Sequence, residues 1–431
     1  MMLAELNNNY GKHLYKAKKY SQALAYFSKA INNSPNTPTY YGNRAACFMM
    51  LNSFEEALED VRKTVQLDPN YLKGYIRMIK CGIATGDIVI AKYALKKVQE
   101  LQKDISVIAN EVELLEKLKH NEAEASKAYK EGDFKKVVIC MERCLEVAST
   151  CEFYKIVKAE CLVFLGRYQD AQEITGSILE LNSRNPDAMY IQGLCLYYEG
   201  KLDCAIKNFR HVLKLAPEHS KAMDICKRAK MLQKKKEEGN KAYRAYRFQE
   251  ACKLYTDALE IDPLNRKTNS ELYFNRATVL SSMKKTFEAI DDFTSAIKLD
   301  GTYQKALLRR AKCFMDLEEF DDAARDYEKV CEMDDNEENK NMLEVAKFAL
   351  MLASMERKDY YYILGVDRRA SHEKIKKFYK KMALLHHPDR HAKSTEYFRK
   401  LQERKFKEIG EAYAVLSDAK ARALYDLRYT I

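Results

Sequence analysis

The sequence predicts an all-α protein in which a solenoid of helical repeats is followed by a C-terminal helical hairpin. A short phrase recurs at regular intervals over most of the chain. Gly and Pro are scarce, at 14 and 7 of 431 residues, and 32% of the residues are charged, a composition that favours long, solvated helices. Near the C-terminus the phrase stops, and two helix-forming stretches enclose the motif "HHPDRH".

The recurring phrase is a bulky residue, two polar residues and a small residue, as in "YSQALAYFSKA" from Tyr20 and "FDDAARDYEKV" from Phe320. Successive small residues are separated by 34, 34, 46, 34, 34, 46, 38 and 34 positions. This spacing predicts nine repeats, each a pair of antiparallel helices that pack closely at the small residue. The small residues are Ala23, Ala57, Ala91, Val137, Ala171, Ala205, Ala251, Ala289 and Ala323.

The longer intervals divide the repeats into groups. Each interval of 46 exceeds the period by 12 residues, about three extra helical turns, which a stack needs where it covers its last apolar face. We therefore predict three triplets, residues 3–120, 121–235 and 236–345, followed by a linking helix over 346–358. The interval of 38 is interpreted as a four-residue enlargement of the loop near "LNRKTNS".

Polar residues recur in phase on the first helices of the repeats, which line the concave face of a solenoid. The third triplet has Lys236, Asn240, Asn275, Lys305 and Arg309, and the first has Asn8, Lys12, Asn43, Lys73 and Arg77 at the same phases. Lys, Arg and Asn converging there could bind a main-chain carboxylate and an acidic side chain. The alternative is that these are solvated helix residues, but five positions in phase favour a groove.

The middle triplet differs at these phases, where it has Glu122, Ser126, Val157, Asp187 and Ile191. Two acids and no cation should repel an acidic peptide. This triplet is predicted to be a spacer or a surface for a different partner.

The C-terminal segment, residues 359–428, is predicted to be a helical hairpin. Ser371 is a suitable N-cap for a helix that ends at Leu385, and Ile375, Phe378, Met382 and Leu385 form its apolar stripe. Pro388 ends this helix, and a second helix is expected over about 396–416. His387 and Asp389 therefore lie on the loop between two helices, the first of which is rich in lysine.

The histidine-rich loop allows other interpretations. A metal site would use His386, His387, Asp389 and His391, but their spacing is not that of helical zinc ligands. A hydrolytic dyad would need a nucleophile beside a pocket, which so small and basic a unit does not suggest. The sequence therefore predicts no catalytic residue, no metal and no cofactor.

The repeats and the loop resemble known families. The 34-residue phrase is similar to the tetratricopeptide repeat (TPR). The polar set resembles the dicarboxylate clamp with which TPR co-chaperones hold the acidic C-terminal tails of heat-shock proteins 70 and 90. The third triplet matches every clamp position, whereas Asn8 and Lys12 of the first triplet appear exchanged, which implies weaker or altered binding there.

The C-terminal segment resembles the J domain of DnaJ-type co-chaperones, through "DYYYILGV", the His387-Pro388-Asp389 loop and "FKEIGEAYAVLSDAKARALYD". This resemblance implies that the loop stimulates ATP hydrolysis by heat-shock protein 70, so that the chain activates a partner and is not itself an enzyme. The residues that would dock on that partner are Lys374, Lys376, Lys377, Tyr379, Lys380, Lys381 and Arg390. The chain shows no Gly/Phe-rich segment and no zinc-binding cysteine region, so unfolded or signalling clients are expected to be reached indirectly, through the chaperones.

Composition limits the remaining classes. No signal-peptide-like segment and no apolar run of about 18 residues is present, so we expect a protein of the cytoplasm, or of both cytoplasm and nucleus, with no membrane contact. No Cys-x-x-Cys pair occurs among the 12 cysteines, and most of them are interpreted as reduced core residues. A net charge of 74 − 63 = +11 and 29 Tyr suit a helical-repeat RNA-binding scaffold as the alternative function. The middle triplet lacks the basic, stacking face that RNA binding requires, so no nucleic-acid partner is expected.

One acidic stretch suggests regulation. Residues 318–338 contain eleven acids against Arg325 and Lys329, close in sequence to the lysine-rich helix. These acids either mask that helix or form an ordinary solvated repeat face.

Overall fold

A computed structural model describes residues 2–102, 106–357 and 359–428. These residues form 23 α-helices, α1 to α23, and two short 3-10 helices, with no β-strand among them. The predicted all-α class is therefore confirmed. The chain divides into two compact units, residues 1–196 with 204–223, and residues 197–203 with 224–431.

The first triplet consists of three helix pairs. Its helices are α1 (Met2–Lys16), α2 (Tyr20–Asn33), α3 (Pro38–Met50), α4 (Phe54–Leu67), α5 (Leu72–Thr85) and α6 (Ile88–Leu101). The small residues Ala23, Ala57 and Ala91 lie on the second helix of each pair and are fully buried. Their missing bulk lets the two helices of a pair come into close contact.

The middle triplet follows a 3-10 turn at Ser106–Ile108. Its helices are α7 (Ala109–Glu131), α8 (Phe134–Val147), α9 (Glu152–Phe164), α10 (Tyr168–Leu181), α11 (Pro186–Tyr198) and α12 (Leu202–Leu215). Helix α7 has 23 residues, so the extra turns predicted at the end of the first triplet continue without a break into the next. The predicted boundary at 120/121 thus lies inside a helix.

The third triplet repeats this arrangement. Its helices are α13 (Ser220–Arg244), α14 (Phe248–Leu259), α15 (Arg266–Ser282), α16 (Thr286–Leu299), α17 (Gln304–Asp316) and α18 (Phe320–Met333). Helix α13 has 25 residues, and the predicted boundary at 235/236 lies inside it. Phe293, Phe314, Tyr327 and the small residues Ala289 and Ala323 belong to its core.

The interpretation of "LNRKTNS" as an enlarged loop is wrong. Helix α15 begins at Arg266 and has 17 residues, whereas α17 has 13. Asn265 caps α15 by accepting a hydrogen bond from the Thr268 backbone N–H at 3.1 Å. The four additional residues therefore form about one more helical turn, because an N-cap placed early allows the helix to start early.

A long helix, α19 (Glu337–Arg357), follows the third triplet. It begins nine residues before the predicted start of the linking helix at 346 and so includes the end of the predicted third triplet. Lys358, the last residue of the predicted linker, and residues 103–105 of the predicted first triplet lie outside the described residues.

The C-terminal segment contains four helices, α20 (Tyr360–Leu364), α21 (His372–Leu385), α22 (Glu396–Ser417) and α23 (Ala419–Arg428). Ser371 caps α21 as predicted, accepting from the Lys374 backbone N–H at 3.3 Å. Ile375 is fully buried in the core of this segment, but Leu385, predicted to belong to the same stripe, is 45% exposed. The apolar stripe therefore ends at Met382, which still packs against this core, and does not include the last residue of α21.

The described ranges include no helix with the length and apolar character needed to cross a membrane.

Candidate functional site: two clamp grooves and a histidine loop

The predicted clamp residues of the third triplet lie on three first helices. Lys236 and Asn240 are on α13, Asn275 is on α15, and Lys305 and Arg309 are on α17. Helices α15 and α17 are in contact, and Lys305 and Arg309 are exposed. Neither has an ion-pair partner within the described part of the chain, so both positive charges are available to a ligand.

Two neighbours shape the other end of this groove. The buried Tyr255 donates a hydrogen bond to Asn240 Oδ1 at 2.6 Å, which leaves the amide nitrogen of Asn240 to donate to a ligand. Lys236 forms an ion pair with Glu271 of α15. A carboxylate that binds Lys236 would have to displace the side chain of Glu271 from this ion pair. The positions of the clamp residues in the repeat do not predict this competing acid.

In the first triplet the exchanged asparagine is buried. Asn8 is 1% exposed, and its Oδ1 accepts from Asn43 Nδ2 at 3.0 Å. Glu5 accepts from Tyr40 at 2.9 Å and from Asn8 at 3.2 Å, and these hydrogen bonds lower the pKa of Glu5. Two clamp positions therefore bind each other next to a carboxylate, an arrangement less suited to an acidic ligand than that of the third triplet.

The three predicted cations of the first triplet could still bind an anionic ligand. Lys12 and Lys73 are exposed. The Nη1 atom of Arg77 is buried and has no hydrogen-bond partner among the described residues. A buried donor without an acceptor is costly, so this guanidinium is suited to receive an anionic group.

The middle triplet contains an apolar cavity of about 390 Å³ at the equivalent phases, lined by Glu122, Ser126 and Val157 among others. Glu122 accepts from Tyr154 at 2.6 Å. Lys221 also lines this cavity and pairs with the buried Glu160 at 2.7 Å. The comparison of equivalent positions between the triplets did not predict this cation. Asp187 lies 3.2 Å from His219. Ile191 is fully buried, so its side chain cannot contact a ligand.

The His387-Pro388-Asp389 loop lies between α21 and α22, and residues 388–391 form a 3-10 turn. His387 Nδ1 accepts from the Asp389 backbone N–H at 3.3 Å, and its ring contacts Phe406 edge-on at 5.5 Å between centroids. The side chains of His387 and Asp389 are 47% and 91% exposed. The loop is therefore held by α22 and presented to solvent.

The other two histidines have structural roles. His386 Nδ1 donates to Gln402 Oε1 at 2.6 Å, and His391 Nε2 donates to the Leu385 carbonyl at 2.8 Å. The first contact joins the end of α21 to α22, and the second holds the loop turn against the end of α21. Within the described ranges no group of three or more His, Cys, Asp or Glu side chains is arranged to hold a metal ion.

The predicted docking residues lie along α21, which leads into this loop, and Arg390 lies in the loop itself. The side chains of Lys374, Lys376, Lys377, Lys380 and Lys381 on α21 are exposed, as is Arg390. Tyr379 differs, because its ring stacks on Tyr413 at 3.9 Å between centroids and contributes to the core of the segment. The basic surface of α21 is thus accessible, and Tyr379 helps to hold α21 against α22.

Sequence reasoning also missed a set of contacts between the start of α22 and the third triplet. Asp291 accepts hydrogen bonds from two backbone N–H groups there, and Tyr397 and Arg404 contact the acids Glu319 and Asp322. Burial raises the pKa of Asp291, although the two backbone donors act in the opposite direction. The sequence signal that could have indicated these contacts is the pair of adjacent aromatic residues, Tyr397 and Phe398, in the first turn of α22.

Comparisons with known protein families match the repeats and the C-terminal segment separately. Residues 359–426 match the family model of the DnaJ domain, and residues 10–71, 158–222 and 304–337 match models of the tetratricopeptide repeat. The TPR domain of P58(IPK), in its crystal structure, covers 81% of this chain and 99% of its own, with a TM-score of 0.53 and 22% identity. That likeness supports the repeat fold.

Two curated relatives span nearly the whole chain. DnaJ homolog subfamily C member 7 from Homo sapiens is 46% identical over 98% of this chain and 85% of its own length. The homologue of that protein from Dictyostelium discoideum is 33% identical over 97% of this chain and 78% of its own. The chain therefore belongs to subfamily C of the DnaJ homologues, as a J-domain co-chaperone that carries tetratricopeptide repeats.

Proposed function

We propose that this chain is an adaptor that binds the acidic C-terminal tails of heat-shock proteins 70 and 90 and stimulates ATP hydrolysis by heat-shock protein 70 through its J domain. The observation that supports this most is the exposed His387-Pro388-Asp389 loop, which follows a helix, α21, that carries five exposed lysines. The loop supplies no chemistry for bond breaking. Its role is to bind the partner chaperone in the conformation that hydrolyses ATP.

The third triplet is proposed as the principal tail-binding groove. Lys305 and Arg309 are exposed one turn apart, and Asn240 is oriented by Tyr255. Charge-assisted hydrogen bonds from these groups suit a C-terminal carboxylate and an acidic side chain. The first triplet is proposed as a second, weaker groove, because Asn8 and Asn43 bind each other there.

The two activities together favour client transfer. A chain that holds either chaperone by its tail and stimulates hydrolysis by one of them can move a client between them, and we propose transfer from heat-shock protein 90 to 70. This requires both chaperones in one compartment, and we expect the chain to act in the cytoplasm, or in both the cytoplasm and the nucleus.

Single-turnover ATP hydrolysis by heat-shock protein 70 tests this function. We expect the chain to accelerate hydrolysis and His387→Gln to abolish the acceleration, because the substitution removes the imidazole from the loop without changing the helices. His120→Gln on α7 is the matched control and should behave as the unaltered chain. Equal stimulation by the His387→Gln variant would refute the role of the loop.

A further inference from the structure

The J domain is attached to the third triplet at the first turn of α22. Asp291 of α16 accepts hydrogen bonds from the backbone N–H groups of Glu396 at 2.8 Å and Tyr397 at 2.9 Å. The first N–H groups of a helix have no acceptor within the helix, and a carboxylate also matches the positive end of the helix dipole. A residue more than 100 positions earlier therefore caps this helix.

Two aromatic side chains fill the same contact. The ring of Tyr397 packs on Phe314 at 5.1 Å between centroids and joins the core of the third triplet. Its hydroxyl donates to Asp322 at 3.0 Å. The next residue, Phe398, contacts Phe287 edge-on at 4.7 Å. Apolar and polar contacts thus hold one turn of α22 in a defined orientation.

An ion pair two turns later restrains the rotation of α22. Arg404 pairs with Glu319 and lies 3.6 Å from Asp322. The Glu319 side chain is only 7% exposed, and so deeply buried a carboxylate needs charged and hydrogen-bonding partners. Three acids of the triplet, Asp291, Glu319 and Asp322, therefore recognise α22.

This contact leaves the proposed working surfaces uncovered. The loop residues His387 and Asp389 remain exposed, as do the lysines of α21. The acids that contact the J domain lie on α16, on α18 and just before α18, whereas the proposed clamp uses α13, α15 and α17. A bound tail and a docked J domain would therefore use different residues of one triplet.

We propose that the third triplet holds the J domain in a single pose, with Tyr397 and Arg404 as positioning residues, so that a clamped tail and the His387-Pro388-Asp389 loop act at a fixed separation. The inference deepens the proposed function and rests on it. A fixed separation raises the effective concentration of the loop at the tethered chaperone above that of a freely tumbling domain, provided that the pose matches the span.

The test uses charge reversal in the full chain. Arg404→Glu and Glu319→Arg each place like charges together, and the double variant restores an opposite pair. Lys420→Glu, an exposed lysine on α23, is the matched control for a charge change on the J domain. Hydrogen–deuterium exchange at Glu396 and Tyr397 reports the docked pose without reference to any chaperone.

Single-turnover hydrolysis is measured in parallel with intact and with tail-deleted heat-shock protein 70. In each single variant we expect faster exchange at Glu396 and Tyr397. The concentration for half-maximal stimulation of the intact chaperone should rise roughly tenfold, with little change for the tail-deleted form. The double variant should largely restore both readouts, and Lys420→Glu should change neither.

Four results would overturn the inference. Unchanged exchange in both single variants would show that the pose is not held by this pair. Faster exchange with unchanged stimulation would show that docking does not position the loop, and faster exchange with increased stimulation would show that docking restrains it. If the unaltered chain stimulated neither form of the chaperone, the proposed function would fail, and so would a positioning role, whatever the exchange data showed.

Discussion

At the scale of single residues, burial determines the chemistry of the cysteines. None of the 12 forms a disulfide, and nine are buried, which agrees with the interpretation of most of them as reduced core residues. Burial raises the pKa of Cys47, Cys81, Cys144 and Cys161 to about 12. Since the thiolate is the reactive species, these four sulfurs should be inert while the chain is folded.

Cys204 is the exposed cysteine and should react first with a thiol reagent. At pH 8 a thiol of pKa about 12 is ionised to roughly one part in ten thousand, and its burial also blocks access. Mass spectrometry after brief alkylation should place the first label on Cys204, and Cys204→Ser should remove the fast phase. Cys47→Ser is the control and should leave that phase intact; rapid labelling of Cys47 would contradict the packing described for the first triplet.

At the scale of helices, a glycine and an aromatic ring set the spacing within several repeats. Gly11 faces Phe27, Gly193 faces Phe209 and Gly239 faces Tyr255, in each case across the two helices of one repeat. A Cβ at these glycines would lie 2.6–2.7 Å from the nearest ring atom. The glycines are therefore required for close approach, even though glycine is unfavourable inside a helix.

Gly239→Ala tests this packing in the third triplet. The added Cβ would be 2.7 Å from Tyr255, so the ring must shift, and overpacking of this kind costs about 1–3 kcal/mol. We expect a lower urea midpoint and also weaker binding of an acidic C-terminal peptide, because Tyr255 orients Asn240.

Gly176→Ala on α10 is the matched control. A Cβ there meets nothing within 4 Å, so the gain in helix propensity should stabilise the chain by up to about 1 kcal/mol. Circular dichroism in urea and peptide binding by calorimetry measure the two effects. Equal responses of the two alanine variants would mean that the contact with Tyr255 has no energetic role.

A second contact that recurs between the helices of a repeat is an Arg–Asp ion pair with a buried aspartate. Arg44 with Asp60, Arg276 with Asp292 and Arg310 with Asp326 each form two hydrogen bonds of 2.7 Å between the helices of one repeat. Bidentate pairs of this kind fix orientation as well as contact. They occur in the two triplets with proposed clamps, where the first helices must hold their side chains in register.

At the scale of the whole molecule, the proposed function depends on two contacts with one partner chaperone. Lys305→Ala removes one exposed charge from the proposed clamp without leaving a buried acid unpaired. Hydrogen bonds to charged groups contribute about 1.5–3 kcal/mol, so the concentration for half-maximal stimulation of heat-shock protein 70 should rise roughly tenfold or more. The maximal rate should stay the same, because the loop is unaltered.

Two controls accompany this prediction. Lys253→Ala removes an exposed lysine from α14, a second helix outside the proposed clamp, and should have no effect. Tail-deleted heat-shock protein 70 should respond identically to the unaltered chain and to Lys305→Ala. A lower maximal rate with the intact chaperone would indicate that Lys305 affects the J domain and not tail binding.

Local spacing along the sequence was enough to predict the helix pairs of the repeats, the 34-residue period, the cap at Ser371 and the loop at His387. These features depend on residues close together in the chain, whose spacing matches the period of one helix or one helix pair. The candidate clamp residues could also be identified by comparing the triplets, because equivalent positions of the repeat lie on equivalent helices.

Which residues meet across the chain depends on how the helices pack, and no local pattern predicted these contacts. The tertiary structure buried Asn8 against Asn43, paired Lys236 with Glu271, and continued the extra turns of the first triplet into α7. It also placed Asp291 at the start of α22, 105 residues away from Glu396. Such contacts leave no periodic signal, because they depend on how packed helices bring distant side chains together and on the need of buried charges and helix ends for partners.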